Sequence, residues 1–237
     1  MSRIPLQKVL VIPLTIIVLM VLLSVTGYPQ GKGNPNPGVL PPHSLAHGST
    51  LGEWLARYYS WSLGFPRSSC PLFLDESVYK DQSGSLFFLS HGARTYNLTI
   101  PRGKSLFIPV RTPYWCAPSY LPGAQQALSY LGYDISRLTD EQVMQTYTHL
   151  QADLIEEPFL TIDGVAINDP EWYRIDSTSF YPYVNEGYGV EPGVVGPCSS
   201  SGHALILPPL PPGLHVLVWG CAKGVWKRTT ICNLTVQ

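Results

Sequence analysis

The chain has 237 residues, of which 45% are hydrophobic, 11% aromatic and only 13% charged; an average protein carries about 25% charged residues. Its formal net charge is −1, and Pro (23) and Gly (21) together make up about a fifth of it, below the range of roughly 25–30% at which disorder is the default. These numbers exclude a coiled coil, a multi-span membrane protein and a basic nucleic-acid binder.

Arg3 and Lys8 precede Val9–Val25, a run of 17 uncharged residues that exits through Val25-Thr26-Gly27. A basic start, an apolar stretch and a small-residue exit predict a secretory signal over 1–27, cleaved after Gly27. The run also approaches the length of a spanning helix, so an uncleaved anchor through residues 9–25 is the alternative. Either way the remainder lies outside the cytoplasm. Residues 28–48 contain the tract GKGNPNPGVLPPH, Gly31 to His43, with too little apolar surface to pack, and are read as a Pro/Gly-rich spacer. Residues 49–237 suit one extracytoplasmic domain.

Thr50-x-x-Glu53 is a capping box, followed by Leu51, Trp54, Leu55, Tyr58 and Ser62 on one face and closed by Gly64 and Pro66. Trp54, Tyr58 and Trp61 on this helix are read as core. A short helix is expected over Gly123–Leu131. Thr139-x-x-Gln142 is a second box, with Val143, Tyr147, Leu150 and Leu154 at helical spacing and Pro158 after them. Elsewhere the period is two. Arg94–Ile100 and Thr230–Val236 alternate, and Ser85–Leu89, Lys104–Val110, Phe159–Ile162, Trp172–Ile175, Ala204–Leu207 and Leu214–Trp219 read as further strands. Asp163-Gly164 and Asn168-Asp169-Pro170 read as turns. The fold class expected is mainly β, a β-sandwich or jelly-roll-like domain with two or three peripheral α-helices.

Cys70, Cys116, Cys198, Cys221 and Cys232 all follow the signal. In an exported chain they are disulfide candidates rather than metal ligands. Two bridges and one spare thiol allow 15 pairings, of which Cys70–Cys116 is the first choice. Asn97-Leu-Thr and Asn233-Leu-Thr are N-glycosylation sequons, each Asn on the more polar face of its strand.

No GxSxG, HExxH, Walker A or GxGxxG is present, and nothing calls for a cofactor. Cys198-Ser-Ser-Ser-Gly-His203 places hydroxyls near a histidine, but is read as a Gly/Ser-rich loop entering the Ala204 strand. His43 and His47 have the i, i+4 spacing of helical metal ligands but lie in the spacer, so no metal is assigned. Asp75, Asp81, Asp163, Asp169, Asp176 and Glu186 lie between strands and are the carboxylates a glycosidase would draw on. Tyr173, Tyr181, Tyr183 and Tyr188, with Phe180, fall among Pro, Asn and Gly; such loop aromatics stack on sugars or cap the core, and the four tyrosines are the ligand-binding candidates.

The phrases Gly52–Trp61 (GEWLARYYSW), Asp81–Leu89 (DQSGSLFFL), Ile100–Pro109 (IPRGKSLFIP), Ile162-Asp-Gly-Val165, Trp172-Tyr-Arg174 and Leu207–His215 (LPPLPPGLH) occur in that order. Over about residues 50–237 this resembles a family of uncharacterised exported, signal-peptide-bearing proteins, mostly prokaryotic. Members often carry a Cys just before the Pro-x-Gly-Lys phrase, where this chain has Leu98 and Thr99. The resemblance implies export and supplies no catalytic set.

The function expected is therefore binding or surface presentation outside the cytoplasm, with polysaccharide or another surface protein as partner and no nucleic acid. The alternatives are a hydrolase of an extracellular or envelope polymer acting through loop carboxylates, and a purely structural envelope component.

Overall fold

The computed structural model of the protein describes residues 36, 38–74, 78–223 and 225–237. The expected signal or anchor and residues 28–35 of the spacer lie outside the described residues. Among the described residues no helix is long and apolar enough to cross a membrane.

In chain order the strands are β1 (Leu45–Ala46), β2 (Ser49–Thr50), β3 (Leu86–Phe88), β4 (Thr95–Ile100), β5 (Ser105–Arg111), β6 (Tyr114–Cys116) and β7 (Pro158–Ile162). They continue with β8 (Val165–Ala166), β9 (Arg174–Asp176), β10 (Tyr183–Val184), β11 (Gly193–Val194), β12 (Cys198–Leu207), β13 (Gly213–Lys223) and β14 (Trp226–Val236). The helices are α1 (Leu51–Leu63), α2 (Leu121–Tyr130) and α3 (Asp140–Ala152). Both capping boxes form: Thr50 and Glu53 exchange hydrogen bonds at the start of α1, and Thr139 and Gln142 do so at α3. Each satisfies two backbone donors that the first turn would leave unpaired.

The domain is mainly β, a sandwich with helices on its outside. One five-stranded sheet has the order β3-β5-β12-β6, with β9 also pairing β12; the other runs β4-β14-β13-β7-β8. Alternation along β12 explains the layering. Leu205 and Leu207 face the second sheet, meeting Leu217, Trp219 and Leu234 in the main core. Ala204 and Ile206 face the other way, into a cluster with Leu51, Leu55, Tyr58 and Tyr59 of α1. Covered on both sides, β5 and β12 are apolar on both faces in SLFIPV and ALIL.

Four expectations are corrected. Residues 36–48 belong to the compact unit, which spans Asn36–Gln237. Val39 joins the main core, the Leu40 amide donates to the Ile206 carbonyl at 3.0 Å, and Asn36 Nδ2 donates to the Asn168 carbonyl at 2.8 Å. One buried valine and a few backbone-directed hydrogen bonds are enough to dock a Pro-rich segment that lacks periodicity. The segment Cys198–His203 is not a loop but the first half of β12, and Trp172-Tyr173 closes a 3-10 turn, so β9 begins only at Arg174. Finally, the disulfide joins Cys116 to Cys198 rather than to Cys70, and Cys70, Cys221 and Cys232 lie outside it. Cys116 and Cys198 are direct cross-strand partners on β6 and β12, whereas Cys70 follows α1 on another element. Cys221 and Cys232 sit opposite Arg228 and Leu217 respectively, too far out of register to pair.

Candidate functional site

Ser199, Ser201 and His203 alternate onto the same face of β12 as Leu205 and Leu207. Where the second sheet stops covering that face, α3 takes over, so a row of polar side chains lies beneath a helix. Strand β9 sets Asp176 opposite Ser201 and Arg174 opposite His203, and the last turns of α3 bring in His149 and Asp153. The result is one connected network. Ser201 Oγ donates to Asp176 Oδ1, and His149 Nδ1 lies 3.1 Å from both Asp176 carboxylate oxygens. Arg174 donates to Ser201 Oγ at 3.2 Å, to Asp153 Oδ1 at 2.8 Å and to the His149 carbonyl at 2.9 Å. The last of these places a cation at the C-terminal end of the α3 dipole, where it is favoured. His203 is 5% exposed, and burial followed by the Arg174 charge pushes its pKa down to about 4, so it stays neutral.

Above this network opens a cleft of about 420 Å³, in which Tyr133, Gln145, His149, Asp176, Ser177 and Ser199 line the wall. In nucleophilic catalysis by serine the histidine stands between the carboxylate and the hydroxyl. Here the carboxylate stands in the middle, and Ser201, 1% exposed, gives its proton to it. Among the described residues no hydroxyl lies within hydrogen-bonding distance of His149 Nε2. The cleft offers instead a fixed carboxylate, an imidazole whose orientation that carboxylate sets, the Gln145 amide, two serines and the partly exposed phenol of Tyr133.

The candidates from the sequence are dispersed. Tyr173 is 1% exposed in the main core and its hydroxyl accepts from Asn36 Nδ2 at 3.0 Å. Tyr188 is half-buried, its hydroxyl donating to the Ser62 carbonyl at 3.5 Å, with the Arg67 guanidinium over its ring; burial holds its phenol well above the usual range. Tyr181 and Tyr183 are exposed, and Tyr181 donates to Glu141 Oε1 at 2.5 Å. Of the carboxylates, Asp75 lies outside the described residues. Asp81, Asp163 and Asp169 occupy positive-φ turn positions, and Asp163 binds His215 on the second sheet. The Glu186 carbonyl accepts from the Arg67 amide at 3.0 Å. Only Asp176 enters the cleft. His43 precedes β1 and His47 sits in the β1–β2 turn, neither on a helix, and His47 Nε2 lies 3.0 Å from Ser105 Oγ.

Sequence reasoning missed Tyr133, Gln145, His149 and Ser177. The available signal was the hydroxyl run of β12 read as a strand, since three buried serines in a central strand require polar neighbours. Asn97 and Asn233, the sequon residues, are exposed on β4 and β14 and bonded to each other at 2.9 Å. Comparison with protein-family models, with curated proteins and with solved structures gives no match to this chain.

Proposed function

We propose that the protein is an exported binding protein, directed out of the cytoplasm by residues 1–27, and that the cleft between α3 and strands β9 and β12 takes a carbohydrate. The observation that carries the reading is the lining itself: a carboxylate, an imidazole, an amide and serine hydroxyls converge beside the ring of Tyr133. Hydroxyl-rich ligands are held by planar hydrogen-bonding groups fixed in advance by their own neighbours, with an aromatic surface against the sugar ring. Asp176 and His149 are fixed in this way by Ser201 and Arg174. The Cys116–Cys198 disulfide supports an oxidising compartment, where such bonds persist.

A glycan array probed with the purified protein tests this. Binding to a restricted set of glycans is expected, and Gln145→Ala and Tyr133→Ala, which leave the buried network intact, should weaken it about tenfold each, in line with the roughly 1–2 kcal/mol carried by one polar or stacking contact. Uniform silence across the array, or binding indifferent to both variants, overturns the assignment.

A further inference from the structure

We propose that a second cleft, at the C-terminal end of α3, binds an organic anion: a carboxylate carried on a small apolar body. The cleft, about 340 Å³, lies between the residues that follow α3, the end of β5, β6 and the β13–β14 hairpin.

Arg111 ends β5 in one sheet. Arg228 lies on β14 in the other, directly across from Cys221 on β13. Both line this cleft, so the two sheets deliver one guanidinium each to the same space. Neither guanidinium makes an ion pair or hydrogen bond among the described residues. The remaining charged groups facing the cleft, Lys223 and Glu156, neutralise each other at 2.7 Å. Two positive charges without a carboxylate partner thus line one cleft in a chain whose charged residues are scarce, and an anion placed there is attracted by both.

Trp115 forms part of the same wall, and its Nε1–H is buried with no acceptor among the described residues, a costly state for a donor that can only donate. Two planar guanidiniums match the lone pairs of a carboxylate. The remaining wall is apolar, formed by Pro113, Leu154 and Ile155, and suits a hydrocarbon or aromatic body. His91 senses the same field: burial, then Arg111, Arg94 and Arg228, push its pKa down to about 3.

A reporter is built in. Of the cysteines outside the disulfide, Cys70 and Cys232 are buried, while Cys221 is partly exposed and lines the cleft. Its thiolate displaces iodide from iodoacetate or iodoacetamide, forming a carbon–sulfur bond in both cases, but only iodoacetate carries a carboxylate. The ratio of the two alkylation rates at Cys221, followed by peptide mass spectrometry on the intact protein, should exceed the ratio for N-acetylcysteine amide by roughly tenfold. Arg111→Gln combined with Arg228→Gln should return it to the reference value with an unchanged circular dichroism spectrum. In the unaltered protein, millimolar benzoate should slow alkylation by uncharged iodoacetamide, and inorganic phosphate should not. A ratio equal to the reference, or no protection by benzoate, overturns the proposal. Equal protection by phosphate overturns the apolar-body requirement and leaves a general oxyanion site. None of these readouts involves the glycan array, so the two assignments fail separately.

Discussion

His215 Nδ1 lies 2.8 Å from Asp163 Oδ2, and the other ring nitrogen of His215 lies 2.9 Å from the Pro211 carbonyl. Both partners are acceptors, so the ring makes both bonds only as an imidazolium. Asp163 sits with Gly164 in the two-residue turn joining β7 to β8, both at positive φ, and its Oδ1 accepts from the Val216 amide at 2.8 Å. The carboxylate thereby ties a hairpin turn to the neighbouring strand β13. The hydrogen bond to Asp163 raises the His215 pKa, and the bonds from His215 and Val216 outweigh desolvation to lower that of Asp163. The His215 share of stability is fully present below its unfolded value of about 6.5 and is lost as pH rises through the raised folded value. The Asp163 share is present above about pH 4 and is lost as pH falls through the lowered one. Asp163→Asn should therefore cost about 1–2 kcal/mol near pH 5.5 and less at pH 8.5. Urea midpoints at the two pH values check this, and a cost that grows with pH counts against it.

Two other histidines work in the opposite direction. The folded pKa values of His203 and His91 are pushed down to about 4 and about 3, and His91 Nδ1 lies 2.8 Å from the Tyr58 hydroxyl. A group depressed in this way takes up a proton more readily when unfolded. Stability should fall as pH drops from about 6.5 toward 4, and His203→Gln should flatten that slope while leaving the slope above pH 7 unchanged. Midpoints of thermal unfolding between pH 4 and 8 measure it.

The Cys116–Cys198 bridge closes a sequence separation of 82 residues across β6 and β12. By loop-closure entropy its removal should cost about 4 kcal/mol. Denaturation with and without reductant, and of Cys116→Ser with Cys198→Ser, should agree with each other; a loss below about 1 kcal/mol would show that strand pairing alone holds the two elements together.

Local signals were legible and tertiary ones were not. Thr50 with Glu53 and Thr139 with Gln142 specify helix starts within four residues, and Thr95–Ile100 shows its buried face by strict alternation, because each pattern is generated inside one element. The hydroxyl run at Ser199–Ser201 has the composition of a loop. It forms a strand because β6, β9 and α3 close around it, and no local pattern encodes that. Asp176 and His149 meet across 27 residues, a pairing set by the β9–β12 register. Tyr173 shares the composition of the exposed Tyr181 and Tyr183 yet is core, since the 3-10 turn at Pro170–Tyr173 points it inward.

Gly202 interrupts the polar row at φ +147, and a Cβ there would meet the Arg111 carbonyl oxygen at 2.1 Å. The obstruction is backbone, so no side-chain rotation relieves it. Gly202→Ala should cost about 2–3 kcal/mol, more than an ordinary surface Gly→Ala change. Gly123, with nothing within 4 Å and a place in α2, provides the control: Gly123→Ala should stabilise by about 0.5–1 kcal/mol. Equal effects at the two positions would refute the close approach.

The two sequons are neighbours in the folded protein. Strands β4 and β14 run parallel with Asn97 opposite Asn233 and Thr99 opposite Thr235, and Asn233 Nδ2 donates to Asn97 Oδ1 at 2.9 Å. Adjacent strands are about 4.8 Å apart, which leaves no room for two sugar stems side by side. In a eukaryotic secretory host, a glycan on Asn97 should therefore preclude one on Asn233, so that intact mass shows at most one glycan per chain. Asn97→Gln should release the second site rather than abolish modification. In unglycosylated protein, Asn97→Ala removes the amide contact and should cost about 0.5–1 kcal/mol. A doubly glycosylated chain that retains native stability would show that the β4–β14 register tolerates both stems.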